Sequence, residues 1–254
     1  MELEVEGRLA QGDASASGLA ADRVLLGRAS TADRVADILR TRIAEGFFQP
    51  GARLSEENIG GALGISRNTL REAFRLLTHE RLLVHQLNRG VRVRVLTVED
   101  LADIYRVRRL IECGALRGLA DPTVTSAAGR PQGAPGPALG PVESAVVAGE
   151  QAAAAGLWPE CATANIHFHQ AIAGLAGSSR TDELMRGVLA ELRLAFHMMN
   201  DARRFHEPYL TRNREILAAL AGGDPLGAER LLATYLQDSR RQLIEAYAQM
   251  VSGS

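Results

Sequence analysis

The chain has no lysine, and all 29 of its basic residues are arginine. No physical requirement removes lysine from every surface position, so this is read as codon bias. Cysteine is almost as scarce. Cys113 and Cys161 are the only two and lie far apart, which excludes a disulfide framework and a thiolate zinc site and leaves two small buried residues as the expectation. No run of about 18 apolar residues is present, so no membrane span is expected. The opening Met1-Glu2-Leu3-Glu4-Val5-Glu6 is acidic where a secretory signal would be basic and then apolar, and a cytoplasmic location is expected. Also missing are a nucleophile elbow, a Walker loop and any other catalytic motif. No enzymatic activity and no catalytic residue are therefore expected.

Excess charge is lacking too, since the net value of -1 argues against a uniformly basic nucleic-acid binder. The average hides a segregation. Residues 34–94 hold eleven arginines against six acidic residues, a balance of +5 that leaves -6 for the rest of the chain. A basic module joined to an acidic one fits a DNA-binding domain followed by a domain of another kind. A length of 254 residues is enough for two such domains.

The most informative stretch is Gly64-Ile65-Ser66-Arg67-Asn68-Thr69-Leu70-Arg71-Glu72-Ala73. Gly64 permits a tight bend, and Ser66 can cap a helix starting near Arg67 by accepting a hydrogen bond from a first-turn amide. Leu70, Ala73, Phe74 and Leu77 then recur at helical spacing as a buried stripe, which leaves Arg67, Asn68, Arg71 and Arg75 on the solvent side. Arg67 and Arg71 can reach phosphate or the O6 and N7 of guanine, and Asn68 has the amide geometry for adenine. The hydroxyls of Ser66 and Thr69 suit phosphate.

Around this stretch the pattern Val35, Ile38, Leu39, Ile43 predicts a helix from about Asp33, ended by Gly46 and Pro50-Gly51. A second helix, capped by Ser55, carries Ile59, Ala62 and Leu63. The recognition helix runs to about His79. Leu82 to Gln86 reads as a strand, Asn88-Arg89-Gly90 as a turn, and Val91 to Val95 alternates apolar and basic residues as a second strand. Arg89 and Gly90 at the tip can meet a phosphate or the flanking minor groove. The whole predicts a winged helix-turn-helix over 31–96, preceded by a flexible extension over 1–30.

The second domain, 97–250, reads as all-α. Its first helix covers about Val98 to Ala120, and residues 121–141, with five of the nine prolines and four glycines, form a loop or insertion. Helical patterns then run over 143–155, 159–176, 180–204, 208–221 and 224–250. The fold class is therefore mainly α. On the first helix Leu101, Ile104, Arg108, Ile111 and Ala115 share a face, and a guanidinium there needs an anionic partner. That partner is either a carboxylate of the chain, unless the head reaches solvent, or the carboxylate or phosphate of a ligand.

Gly46, Pro50-Gly51, Leu54-Ser55-Glu56, Leu63 to Arg67, Leu70 to Ala73 and Asn88 to Val91 together resemble the DNA-binding domain of GntR-family bacterial regulators. Glu99-Asp100-Leu101, Arg108, Glu112, Phe168-His169 and Gly223-Asp224 are similar to the helical effector domain of the FadR subgroup. The resemblance implies a homodimeric regulator, a repressor or an activator and most simply a repressor, that binds a palindromic double-stranded operator and changes affinity on binding a small anionic metabolite such as a carboxylate or acyl derivative. Dimerisation also fits the two-fold logic of palindromic sites. Departures from the family pattern at Glu57, Arg81 and Asn68-Thr69 imply a distinct operator.

Many members of the subgroup hold a divalent metal with one aspartate and three histidines. Those positions fall on Asn165, His169, Asn213 and Tyr235, where only the histidine is retained. Amide and phenol are weak donors, so no metal and no cofactor are expected. The four residues, with Arg108, either line a pocket for an organic effector or form an internally satisfied network. Two other functions compete: a metal-dependent enzyme in the bundle, which needs inward carboxylates or further histidines not evident in the sequence, and a DNA-binding protein whose second domain only dimerises or binds another protein.

Overall fold

The computed structural model describes residues 30–87, 89–121, 138–199 and 201–252. Apart from Ser30, the expected extension lies outside the described residues, as do Asn88 of the turn and 122–137 of the expected insertion. The elements run α1 (Thr31–Ala44), β1 (Arg53–Leu54), α2 (Glu56–Leu63), α3 (Arg67–His79), β2 (Leu83–Gln86), β3 (Gly90–Val93), α4 (Val98–Ala120), α5 (Gly140–Ala154), α6 (Trp158–Gly174), α7 (Ser179–Met198), α8 (Ala202–Ala221) and α9 (Pro225–Ser252). The fold is mainly α, with a winged helix-turn-helix followed by a helical bundle.

Ser30 and Asp33 cap α1 reciprocally, each side chain accepting from the other's backbone amide. The buried stripe of α1 is Ala32, Val35, Ala36, Leu39 and Ile43. Ile38, expected in that stripe, is 46% exposed because the stripe centres on the Ala32–Leu39–Ile43 line and leaves it on the flank. Helix α2 also differs from expectation: Ala62 and Leu63 are exposed. It approaches α3 through Gly60, where an added Cβ would lie 3.9 Å from Leu70 Cδ2. Gly64 ends α2 at φ 63°, a left-handed conformation that favours glycine, and makes the bend the sequence predicted.

Helix α3 starts and packs as its spacing predicts, with Ser66 accepting from the Thr69 amide at 3.1 Å and Leu70, Ala73, Phe74 and Leu77 buried. The wing is a three-stranded antiparallel sheet rather than a bare hairpin. Short β1 pairs with central β3, matching Leu54 to Val91, and β2 pairs with the other edge of β3, matching Leu83 to Val93. Two residues were too few for β1 to show an alternating pattern.

Arg81 closes α3 at φ 59°. The Leu82 amide donates to the Leu77 carbonyl and the Arg81 amide to the Thr78 carbonyl, the paired bonds of a Schellman end. An arginine holds a left-handed position there that glycine would occupy without a Cβ penalty.

In the bundle α4 packs on α9, α9 on α8, and α5 on α6. The break expected between 204 and 208 is not there, since α7 ends at Met198 and α8 begins at Ala202, capped by Asp201, which accepts from the Arg204 amide at 3.0 Å. Pro208 sits inside α8. Its ring removes the amide that would bond the Arg204 carbonyl, and the Gln242 side-chain amide of α9 donates to that oxygen instead, at 2.9 Å. The end of the expected insertion is also helical, since α5 already includes Gly140 and Pro141.

Replacing Arg81 by glycine is expected to raise stability by about 1 kcal/mol, because relief of the left-handed strain exceeds the entropy glycine adds to the unfolded chain. Urea denaturation reads this as a higher midpoint at unchanged slope; an unchanged or lower midpoint would show that the position is not strained.

Candidate functional site

Two constellations stand out, one on the face of α3 and one buried in the bundle. On α3, Arg67, Asn68, Arg71 and Arg75 are all exposed, and at the wing tip Arg89 is exposed beside Gly90, whose φ is 77°. The positive residues of this domain are more restrained than their number implies. Arg71 Nε lies 3.0 Å from Glu56 on α2, and Arg75 Nη2 lies 2.7 Å from Glu72. These acidic neighbours hold both guanidinium groups above their ordinary pKa, chiefly through the side-chain hydrogen bonds. Such solvent-exposed pairs contribute little to stability. Ser66 Oγ and Thr69 Oγ1 lie 2.8 Å apart, so the capping hydroxyl is already engaged while Thr69 stays next to it at the helix start. Two further arginines are engaged elsewhere: Arg92 of β3 donates to the Gly51 carbonyl at 2.8 Å, and Arg94, just past β3, pairs with Asp100 at 2.7 Å and Glu191 at 3.2 Å.

The bundle site is built around a carboxylate that the sequence reading placed only as a motif residue. Glu112, wholly buried one turn beyond Arg108, accepts from Arg108 Nε at 2.9 Å through one oxygen. Its other oxygen lies 2.6 Å from His169 Nδ1. His169 Nε2 is 3.0 Å from the Tyr235 hydroxyl, which donates to Asn165 Oδ1 at 3.1 Å. Asn213 Nδ2 donates to the same oxygen at 2.9 Å. A continuous polar chain thus runs from α4 through α6 to α9 and α8. Arg108, Asn165, His169, Asn213 and Tyr235 are all brought together, and Arg108 takes its carboxylate partner from within the chain.

Glu112 corrects the expectation that the bundle has no inward carboxylate. The periodic face assigned to α4 was turned slightly: Ile111 is half-buried and Glu112 fully buried. The usable signal was the four-residue spacing from Arg108, which stacks the two side chains on one face.

Electrostatics follow from burial. Burial by itself pushes the Glu112 carboxyl up, but Arg108 and then His169 outweigh it and hold it below the ordinary carboxylate range. His169 is held below the usual histidine range by burial, against the pull of Glu112. Burial raises the Tyr235 phenol, which stays protonated and able to donate. Among the described residues four side chains retain buried polar atoms without a hydrogen-bond partner: Arg108 Nη2, Asn213 Oδ1, both ring nitrogens of His206 and, away from this network, Asp182 Oδ1. Cys113 and Cys161 are buried, and burial drives both thiols upward, Cys113 to about 12, so neither is an activated nucleophile.

The donor set does not fit a tight divalent-metal site. It offers two neutral amides, a protonated phenol, one imidazole whose two nitrogens already face Glu112 and Tyr235, and the Glu112 carboxylate, whose two oxygens are taken by Arg108 and His169. No group of three or more histidine, cysteine, aspartate or glutamate residues with metal-binding geometry occurs among the described residues. No helix among them is long and apolar enough to cross a membrane.

With this architecture in view, the similarities to known proteins are specific. Residues 31–93 match the bacterial regulatory proteins of the gntR family, and residues 103–238, more than half of the chain, match the FCD domain. The chain belongs to the GntR family of bacterial transcription regulators and carries an FCD domain, an arrangement consistent with the FadR subgroup. These relatives are regulators, not enzymes. A GntR-type regulator from Rhodococcus sp. RHA1, known from a structural-genomics crystal structure, is 47% identical with a TM-score of 0.77, over 86% of this chain and 99% of that one. E. coli McbR/YncC shares the fold at 22% identity and a TM-score of 0.67, over 87% of this chain and 100% of that one. The gluconate operon transcriptional repressor of Bacillus subtilis is 42% identical over 88 residues, 34% of this chain and 35% of the repressor. The chain thus matches only about a third of that repressor's length.

Two stability outcomes are expected from the bundle site. Glu112→Gln leaves Arg108 buried without its counter-charge and is expected to cost about 3–5 kcal/mol, read by denaturant unfolding; a loss under about 1 kcal/mol would mean that the pair is solvated. His206, pushed down to about 4 by burial and then by His169 and Arg193, generates a pH dependence. Its ordinary pKa is about 6.5, so the unfolded chain binds more protons between that value and about 4. Its stabilising effect is complete above pH about 6.5 and is lost as pH falls through that window, up to about 3 kcal/mol. His206→Phe is expected to flatten the fall in unfolding free energy between pH about 7 and 5; an equal slope in both proteins would contradict the shift.

Proposed function

We propose that this chain is a ligand-responsive transcription regulator, acting most simply as a repressor, that binds a palindromic operator as a homodimer and changes affinity when a small anionic metabolite enters the bundle. The observation that carries the reading is the capped α3, with Arg67, Asn68 and Arg71 exposed on one face beside the Arg89 wing tip. Arg67 and Arg71, one turn apart, reach guanine edges or phosphate, and Asn68 reads adenine. Ser66, Thr69 and Arg75 position the helix on the backbone, and Arg89 with Gly90 enters the flanking groove. The pairing of Arg71 with Glu56 supports a reading head that exchanges an internal carboxylate for DNA.

The effector reading rests on the unpaired Arg108 Nη2 and Asn213 Oδ1, polar atoms that a ligand would satisfy alongside Asn165, His169 and Tyr235. Because Arg108 is already neutralised by Glu112, it contributes a hydrogen-bond donor more than free charge. The poor donor set supports a site that works without a metal.

Selection from random duplexes is expected to recover a short palindrome. Arg67→Ala and Arg71→Ala should each weaken that site roughly tenfold or more and relax base preference, while Arg89→Ala should lower affinity more evenly across sequences and reduce the salt dependence. Failure to enrich any sequence, or binding indifferent to all three changes, would remove the reading.

A further inference from the structure

A cavity of about 190 Å³ lies where the bundle meets the DNA-binding domain, walled by α6, α7 and α8 and reaching Glu45 just beyond α1. Its apolar wall includes Ala162, Phe196 and Phe205, and its polar part includes Arg193, His197 and His206. An apolar cavity of about 150 Å³ is enough to hold a benzene ring. The available space therefore matches one six-membered ring with a short polar substituent.

The polar groups decide what that substituent is. Arg193 donates to Thr163 Oγ1 at 2.7 Å, but no carboxylate of the described residues lies within ion-pairing distance of it. Glu45, the acidic residue lining the cavity, attracts Arg193 only through space and is paired directly with Arg42 at 3.0 Å. His206 is 3% exposed and neither ring nitrogen has a partner. A half-buried cation without a carboxylate and an imidazole without hydrogen bonds are both costly unless something complements them. A carboxylate accepts from both, and the phenylalanines cover the ring behind it.

We propose that this junction cavity is a binding site for a small aromatic monocarboxylate, separate from the Glu112–Asn213 network, with Arg193 and His206 holding the carboxylate and Phe196 and Phe205 the ring. The position gives the site a mechanical consequence, which rests on the regulator reading. His197 forms part of the wall, and its Nε2 donates to the Ala44 carbonyl at 2.9 Å, the last residue of α1. The same imidazole backs Gly46, where a Cβ would come within 3.0 Å of His197 Nδ1. A ligand that moves His197 therefore bears on the helix-turn-helix itself.

Calorimetric titration of the full chain tests the site with benzoate as probe and benzyl alcohol as its uncharged counterpart. Benzoate is expected to bind at least about tenfold more tightly than the alcohol, and Arg193→Gln should erase that preference. Ala162→Phe, which fills the cavity, should weaken benzoate at least about tenfold, whereas Asn165→Ala in the buried network should leave it within about threefold. If Ala162→Phe melts far below the parent, Arg193→Gln, which changes volume little, decides the matter. Absence of benzoate binding, equal affinity for acid and alcohol, retention in Ala162→Phe at parental stability, or loss in Asn165→Ala would each overturn the proposal. Duplex binding is measured separately, so a protein that selects an operator yet ignores benzoate fails this site alone, and one that binds benzoate yet selects no operator fails the regulator reading alone.

Discussion

The Glu112 carboxylate is the constraint on which the bundle depends. One buried anion satisfies a buried cation on its own helix and an imidazole on α6, and the imidazole continues the connection to α9 and, through Asn165, to α8. Removing charged groups from water is expensive, and the attraction between them repays that cost only when geometry and hydrogen bonds are both good. The arrangement supplies both for Glu112 and leaves one nitrogen of Arg108 unmet. Asn165, His169, Asn213 and Tyr235 are linked by hydrogen bonds anchored on that carboxylate. Helices α4, α6, α8 and α9 are fixed relative to one another by that polar chain as well as by the apolar packing around it.

The reading head is attached to this framework through specific contacts. Arg94, at the end of the wing, is shared between Asp100 on α4 and Glu191 on α7. Tyr247 of α9 donates to the Leu96 carbonyl in the connection between domains, and His197 of α7 donates to the end of α1. These contacts tie α4, α7 and α9 to the wing, to the connection after it and to the first helix of the helix-turn-helix. The eleven arginines of residues 34–94 divide accordingly. Some join the domains, and others remain on the α3 face with exposed acidic partners they can exchange.

What was legible in the sequence was local and periodic. The Ser66 cap, the left-handed Gly64, the apolar stripe of α3 and the extent of α4 follow from residues within a few positions of each other, where spacing dictates geometry. The misplacements have equally specific causes. Ile38 fits the helical period but not the centre of its buried stripe, β1 is too short to alternate, and Pro208 stays inside a helix because Gln242, thirty-four positions later in sequence, supplies the missing donor. At the bundle site, four-residue spacing placed Arg108 and Glu112 within reach, yet only tertiary packing determines that Glu112 also meets His169. The cavity beside Arg193 and His206 was not legible, because it is enclosed by three helices and the end of a fourth.

In the regulator proposed above, α3 and the wing tip form the surface that meets DNA, while the bundle remains outside it. Amide hydrogen exchange of the full chain, alone and with a duplex carrying its selected site, tests this most directly. Added protection is expected in the first turns of α3 and around Arg89, with the amides near Glu112 and His169 showing no comparable gain. Protection confined to the bundle, or none on α3 at a duplex concentration that saturates binding, would contradict it.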